Sequence, residues 1–154
     1  MLGVSSEVKL QPPLIACVDD SPLICSSLEK FMTGAGYRFV GINDPLRAFS
    51  ILMALKPDLI FLDLMMPNIN GYELCNKLRQ ISIFQNTPII ILTGNDGMVD
   101  RVKTKLVGAS DFLSKANVDK QAVKETMRKH LRHCTLSQLT GSTARDLNSR
   151  QQVA

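Results

Sequence analysis

Five short apolar runs alternate with amphipathic stretches along the chain, and this alternation limits the fold more than any other feature. "LIACVDD" (14–20), "YRFVGI" (37–42), "DLIFLDL" (58–64), "PIIILTG" (88–94) and "ASDFLSK" (109–115) have the length and side chains of strands. The fourth is continuous in Ile and Leu, which predicts burial on both faces. Between them the apolar spacing changes to that of helices. Ser21 and Pro22 suit the N-cap and first position of a helix whose stripe is Ile24, Leu28, Phe31 and Met32, and "GAG" (34–36) stops it. Asp44 and Pro45 open a second helix with Leu46, Phe49 and Met53 on one face. A loop containing Pro67 and Gly71 leads to a third with Leu74, Leu78 and Ile81. A fourth begins near Met98 with Val99, Val102 and Leu106, and a fifth near Asp119 with Val123, Met127, Leu131 and Cys134. Strand and helix alternating in this way give an α/β domain: a parallel sheet with helices on both faces.

The chain has 154 residues, enough for one domain with a full core. The spacing places that domain at 14–134, with a flexible arm or linker at 1–13 and a flexible polar tail at 135–154. No apolar run is long enough to span a membrane. "MLGVSSEVKLQPP" lacks the basic and apolar regions of a secretory signal, so a cytoplasmic protein is expected. Cys17, Cys25, Cys75 and Cys134 form no C-x-x-C pair and read as free thiols. His130 and His133, three apart on a helix, read as a solvated face before a metal site. The net charge of +4 is uneven: seven Lys or Arg against two acids from Lys120 onward. With no aromatic residue interleaved, this excess suits an acidic partner or solubility better than direct nucleic-acid binding.

The polar residues at the ends of the runs carry the functional signal. In an open α/β sheet, ligands gather at the carboxyl ends of the strands. Here those ends are Asp19 and Asp20, Asp63, Thr93 and Lys115. Taken singly, Asp20 reads as a helix cap, Thr93 as a β-branched strand residue, Lys115 as a solvated charge and Asp63 as a turn cap. Together, three carboxylates on one edge need a cation. Oxygen ligands without His or Cys favour Mg²⁺ or Mn²⁺. A phosphoryl group on Asp63 could then be held by the metal, the Lys115 ammonium and the Thr93 hydroxyl.

"VDDS" (18–21), "FLDLMMPNINGYEL" (61–74), "PIIILTG" (88–94) and "GASDFLSK" (108–115) together closely resemble the receiver domain of two-component response regulators, of the stand-alone chemotaxis kind. The resemblance covers about 14–134. It implies a flavodoxin-like, doubly wound five-stranded sheet in the order 2-1-3-4-5. It makes Asp63 the phosphoacceptor, with Asp19, Asp20, Asp63 and the Met65 carbonyl holding Mg²⁺. Thr93 and Lys115 become the hydroxyl and charge partners of the phosphoryl group, and Phe112 the aromatic switch that follows Thr93. A histidine kinase or histidine phosphotransfer protein would be the donor, and the face at 97–134 would bind an output protein, with room for a homodimer. Such a chain is not an enzyme acting on a separate substrate. It carries out Mg²⁺-dependent self-phosphorylation and slow self-dephosphorylation only. Positions two beyond the acceptor and the threonine, Met65 and Asn95, would set a phosphoryl lifetime of moderate length.

One departure stands out. The family usually has Pro after the lysine, often in a cis bond; this chain has Ala116. A cis bond before a non-proline residue costs about 3–4 kcal/mol, so a trans bond with a changed loop is expected here, and the placement of Lys115 is left open. That departure is what supports the alternative of a degenerate receiver, a protein-interaction module independent of phosphorylation. Other classes fit less well. An aspartate-nucleophile phosphatase usually has a second Asp where Met65 stands. A DNA-binding regulator needs an output domain, and only twenty residues follow Cys134. A dinucleotide site needs glycines where "DDSPL" (19–23) stands.

Overall fold

The computed structural model describes residues 11–94 and 98–138, except for the side chains of 98–101, 117 and 132–138. The sheet strands are β1 (Leu14–Val18), β2 (Arg38–Ile42), β3 (Leu59–Asp63), β6 (Ile89–Thr93) and β7 (Asp111–Ser114). The helices are α1 (Pro22–Gly34), α2 (Pro45–Leu55), α3 (Gly71–Arg79), α4 (Met98–Leu106) and α5 (Lys120–Gln138). Two short strands, β4 (Met65–Met66) and β5 (Ile69–Asn70), form an antiparallel hairpin that the sequence pattern does not announce. The large sheet is parallel throughout, in the order β2-β1-β3-β6-β7. Counting only its five strands, this is the expected 2-1-3-4-5.

Each strand of the sheet alternates its side chains between two cores. Ala16, Val18, Ile60, Leu62, Ile89 and Ile91 face α2 and α3 and pack with Ala48, Leu52, Leu74 and Leu78. Ile15, Cys17, Leu59, Phe61, Ile90 and Leu92 face α1 and α5 and pack with Leu28, Met32, Val123 and Met127. Two-sided burial explains why the strands read as continuous apolar runs. Each fully buried Ile or Leu contributes about 1.5–3 kcal/mol, so the central strands hold the sheet register firmly.

Several local expectations give way to the structure. β3 and β6 run to Asp63 and Thr93 themselves, but β1 and β7 stop just short of the polar residues that close their runs, because those residues turn the chain. Asp19 Oδ1 accepts from the Ser21 N–H at 2.9 Å. Ser114 Oγ accepts from the Ala116 N–H at 3.3 Å and starts a 3-10 turn at Lys115–Asn117. Ser21 occupies the N-cap of α1, but its side chain makes no capping bond. On α2 the buried residues are Ala48 and Leu52, while Leu46 is 70% exposed. On α4, the stripe residues Val102 and Leu106 are 59% and 79% exposed, and Thr104 is the buried residue among the described side chains of the helix. Asn95 and the side chains of Val99, His133 and Cys134 lie outside the described residues, as do most of the two proposed terminal segments. Cys17, Cys25 and Cys75 are free and buried.

Candidate acidic phosphoacceptor site

Strand register brings the polar residues together. Val18 pairs with Leu62, Asp63 with Leu92 and Thr93 with Ser114. The residues at or just after these positions therefore share one edge: Asp19 and Asp20, Asp63, Thr93 and Lys115. Asp19 and Asp63 are buried, and Asp20 is exposed. One carboxylate oxygen from each of the three lies within 4.8 Å of the others. Lys115 reaches in from the turn after β7. Its Nζ is 3.0 Å from Asp19 Oδ2 and 3.1 Å from Asp63 Oδ1. No described peptide bond is cis, so Lys115 makes these contacts across a trans bond to Ala116. The substitution of Ala for Pro thus leaves the lysine between the two buried carboxylates.

Asp63 caps the turn that follows β3, as its reading in isolation expects. Its Oδ1 accepts from the Met65 N–H at 3.2 Å, which fixes the side chain. Its Oδ2 is buried without a hydrogen-bond partner. Burial, then the Asp19 charge, pushes the Asp63 pKa up to about 6, against the pull of Lys115 and the Met65 N–H. Burial alone would lower the Lys115 pKa, but its bonds and attraction to Asp19 and Asp63 outweigh that and leave it raised. Asp19 Oδ2 also lacks a well-directed hydrogen bond, although the Lys115 ammonium stands beside it. One lysine therefore does not satisfy the buried acids. Hard oxygen donors with unused lone pairs, two of them held by turns, fit a small divalent cation.

Thr93 is buried at the end of β6, and Phe112, half-buried on the neighbouring strand, packs against the α2/α3 core. Met65 is 82% exposed at the rim. Two further residues support the site: Asn43, which the sequence reading passes over, and Gly71, which it reads only as part of a loop. Asn43 donates from Nδ2 to the Asp19 carbonyl at 2.8 Å, holding the chain where β1 ends. Its place just after β2, beside β1, was the available signal. Gly71 opens α3 directly against the β3 end: a Cβ there would lie 2.2 Å from the Asp63 carbonyl oxygen. Only glycine admits so close an approach.

Comparison with known proteins decides the family. The model of the response regulator receiver domain matches residues 15–128. The chain belongs to the response regulator receiver family. Among curated receivers, Protein PilG of Pseudomonas aeruginosa is 32% identical over 101 residues, covering 66% of this chain and 75% of PilG. The DNA-binding response regulator MtrA of Mycolicibacterium smegmatis is 36% identical over 109 residues, covering 71% of this chain but 46% of MtrA. The chain thus spans less than half of that longer relative. Among solved receivers, chemotaxis protein CheY4 of Vibrio cholerae superposes with a TM-score of 0.73 at 27% identity, covering 78% of this chain and 99% of CheY4. The BeF3-activated N-terminal receiver domain of RstA from Klebsiella pneumoniae gives 0.71 at 29%, covering 77% and 98%. Receiver domains bind Mg²⁺ at an acidic pocket, and this receiver has an Asp cluster able to hold one. No helix among the described residues is long and apolar enough to cross a membrane.

Proposed function

We propose that this receiver accepts a phosphoryl group on Asp63 from the phosphohistidine of a histidine kinase or phosphotransfer protein. The supporting observation is the geometry of charge: three carboxylates within 4.8 Å, with one ammonium bridging the two buried ones. Asp19, Asp20, Asp63 and the Met65 carbonyl would hold Mg²⁺. When bound, the ion neutralises charge on the carboxylates and on the incoming phosphoryl oxygens. Asp63 supplies the nucleophilic oxygen, and the Met65 N–H keeps its carboxylate oriented. Lys115, already poised on Asp63, follows the charge onto the phosphoryl group. Asp19 holds the lysine from the other side.

The readout is a population shift. Thr93 turns toward the new phosphoryl oxygens, Phe112 fills the space it leaves, and the face at 97–134 changes its affinity for an output protein. Exposed Val102 and Leu106 on α4 give that face apolar contacts. The same face could pair with a second copy. Chemistry on the protein ends with slow loss of the phosphoryl group to water. The contacts of Lys115 with both acids, made across the trans bond to Ala116, support the phospho-accepting reading over that of a degenerate receiver.

The switch is tested with beryllofluoride, a phosphoryl mimic, and Mg²⁺ on isotope-labelled protein. The reading predicts shifts of the Thr93 and Phe112 amide resonances, absent in Asp63→Asn. Shifts that persist in Asp63→Asn, or none in the wild type, would sink it.

A further inference from the structure

Between α1 and α5, away from the acidic edge, lies a groove of about 880 Å³. Its apolar lining comes from Phe31, Ala35, Tyr37 and Met127, and its charged lining is Lys30, Lys120, Lys124 and Arg128, with no carboxylate. A second cavity of about 300 Å³ shares Lys30, Phe31 and Lys120, and so continues the groove toward Asp119 at its other end. Glu125 pairs with Arg128. No ion pair engages Lys30, Lys120 or Lys124 among the described residues.

The cations are ordered. Lys120, Lys124 and Arg128 stand four residues apart on α5, each about 6 Å further along the axis, so they form one row beside the apolar floor. Lys30 stands on the α1 side. We infer that this groove docks an acidic amphipathic helix of a partner protein, with carboxylates at the same four-residue spacing against the α5 row and aliphatic side chains on the floor. Charge complementarity selects the occupant. The chain itself is net positive, so a second copy would meet like charge. A nucleic-acid strand would satisfy the cations but leave the apolar floor uncovered. The α5 row falls within the 97–134 face, on the side shared with α1 and apart from Val102 and Leu106 of α4; the test uses unphosphorylated protein, so it reads docking separately from the proposed switch.

The probe is a fluorescein-labelled 18-residue helical peptide with Glu at every fourth position and Leu on the adjoining face, followed by anisotropy at low salt. Wild-type protein should bind it, and rising salt should weaken binding. The Lys120→Glu/Lys124→Glu variant should bind at least ten-fold more weakly. The α2 variant Arg47→Glu/Lys56→Glu, with the same change of net charge and outside both the groove and the 97–134 face, should bind as the wild type does. Both pairs are exposed, and circular dichroism checks that each variant keeps its fold. Lys30→Gln provides a milder second test with the same direction. Equal weakening in the α2 variant would reduce the effect to net charge and overturn the proposal. So would no binding at low salt, or equal affinity for an oligothymidylate of the same charge.

Discussion

Replacing Asp63 by Asn should stabilise the metal-free protein, and the gain should depend on pH. Asp63 is 2% exposed, and its pKa is pushed from 3.8 to about 6 by burial and by Asp19. In the unfolded chain it titrates near its ordinary value. The folded state therefore holds the proton more tightly, and stability falls as pH rises from the unfolded value through about 6. A rise of about two units corresponds to about 3 kcal/mol, which already includes the opposing pull of Lys115. The amide of Asn carries no such cost. The stability difference, Asp63→Asn minus wild type, should thus grow by about 3 kcal/mol between pH 3 and pH 7.5. For a chain of this size that is a relative rise of about 9 °C in Tm. Thermal and urea melts in EDTA across this range measure it. Millimolar Mg²⁺ should narrow the gap at pH 7.5, because only the wild type presents the complete acid set to the ion. A difference that stays constant with pH, or a wild type that is the more stable at pH 7.5, would show that the buried carboxylates are not strained.

Other residues carry distinct expectations. Gly71→Ala puts a Cβ against the Asp63 carbonyl, so the β3 end or α3 must move; urea melts should show a loss of more than about 3 kcal/mol, with weaker Mg²⁺ binding by calorimetry. Arg79 donates to the carbonyls of Phe84, Thr87 and Gly108 and to Ser110 Oγ, tying α3 to the turns before β6 and β7. Arg79→Met should cost about 3 kcal/mol in chemical denaturation, and an unchanged midpoint would show those turns hold without it. Burial works against ionised Asp111, but bonds from His130, the Phe112 N–H and Lys129 outweigh it and hold its pKa below the ordinary value. A depressed carboxylate pKa gives stability that is present above the unfolded value and lost as pH falls through the folded one. Asp111→Asn should therefore destabilise by about 1 kcal/mol at pH 7, with the deficit vanishing in strong acid.

The sheet was legible because two-sided burial leaves an unambiguous trace: Ile89 to Leu92 cannot belong to a one-sided strand. The candidate site was legible because each polar residue closes an apolar run, and a parallel sheet puts all such ends on one edge. Helix faces were harder to read. The stripe of Val102 and Leu106 has helical spacing, yet both project to solvent. Spacing defines a face without saying what covers it. On α2, small Ala48 takes the place against the sheet that the larger Leu46 was expected to fill. Lys115 was uncertain because a local rule about the following Pro was set against a long-range attraction; the paired carboxylates of Asp19 and Asp63 receive the ammonium across the trans bond. Asn43 and Gly71 act through contacts between segments far apart in sequence, and those appear only once β1 lies beside β2 and β3 ends against α3.

The central claim is that Asp63 is a metal-dependent phosphoacceptor. Its most direct test is intact-mass analysis after incubation with acetyl phosphate, with Mg²⁺ and with EDTA, for wild type and Asp63→Asn. The account predicts one acid-stable, base-labile phosphoryl adduct on the wild type with Mg²⁺ only, and none on the variant. An adduct of the same yield on Asp63→Asn, or one indifferent to Mg²⁺, would contradict it.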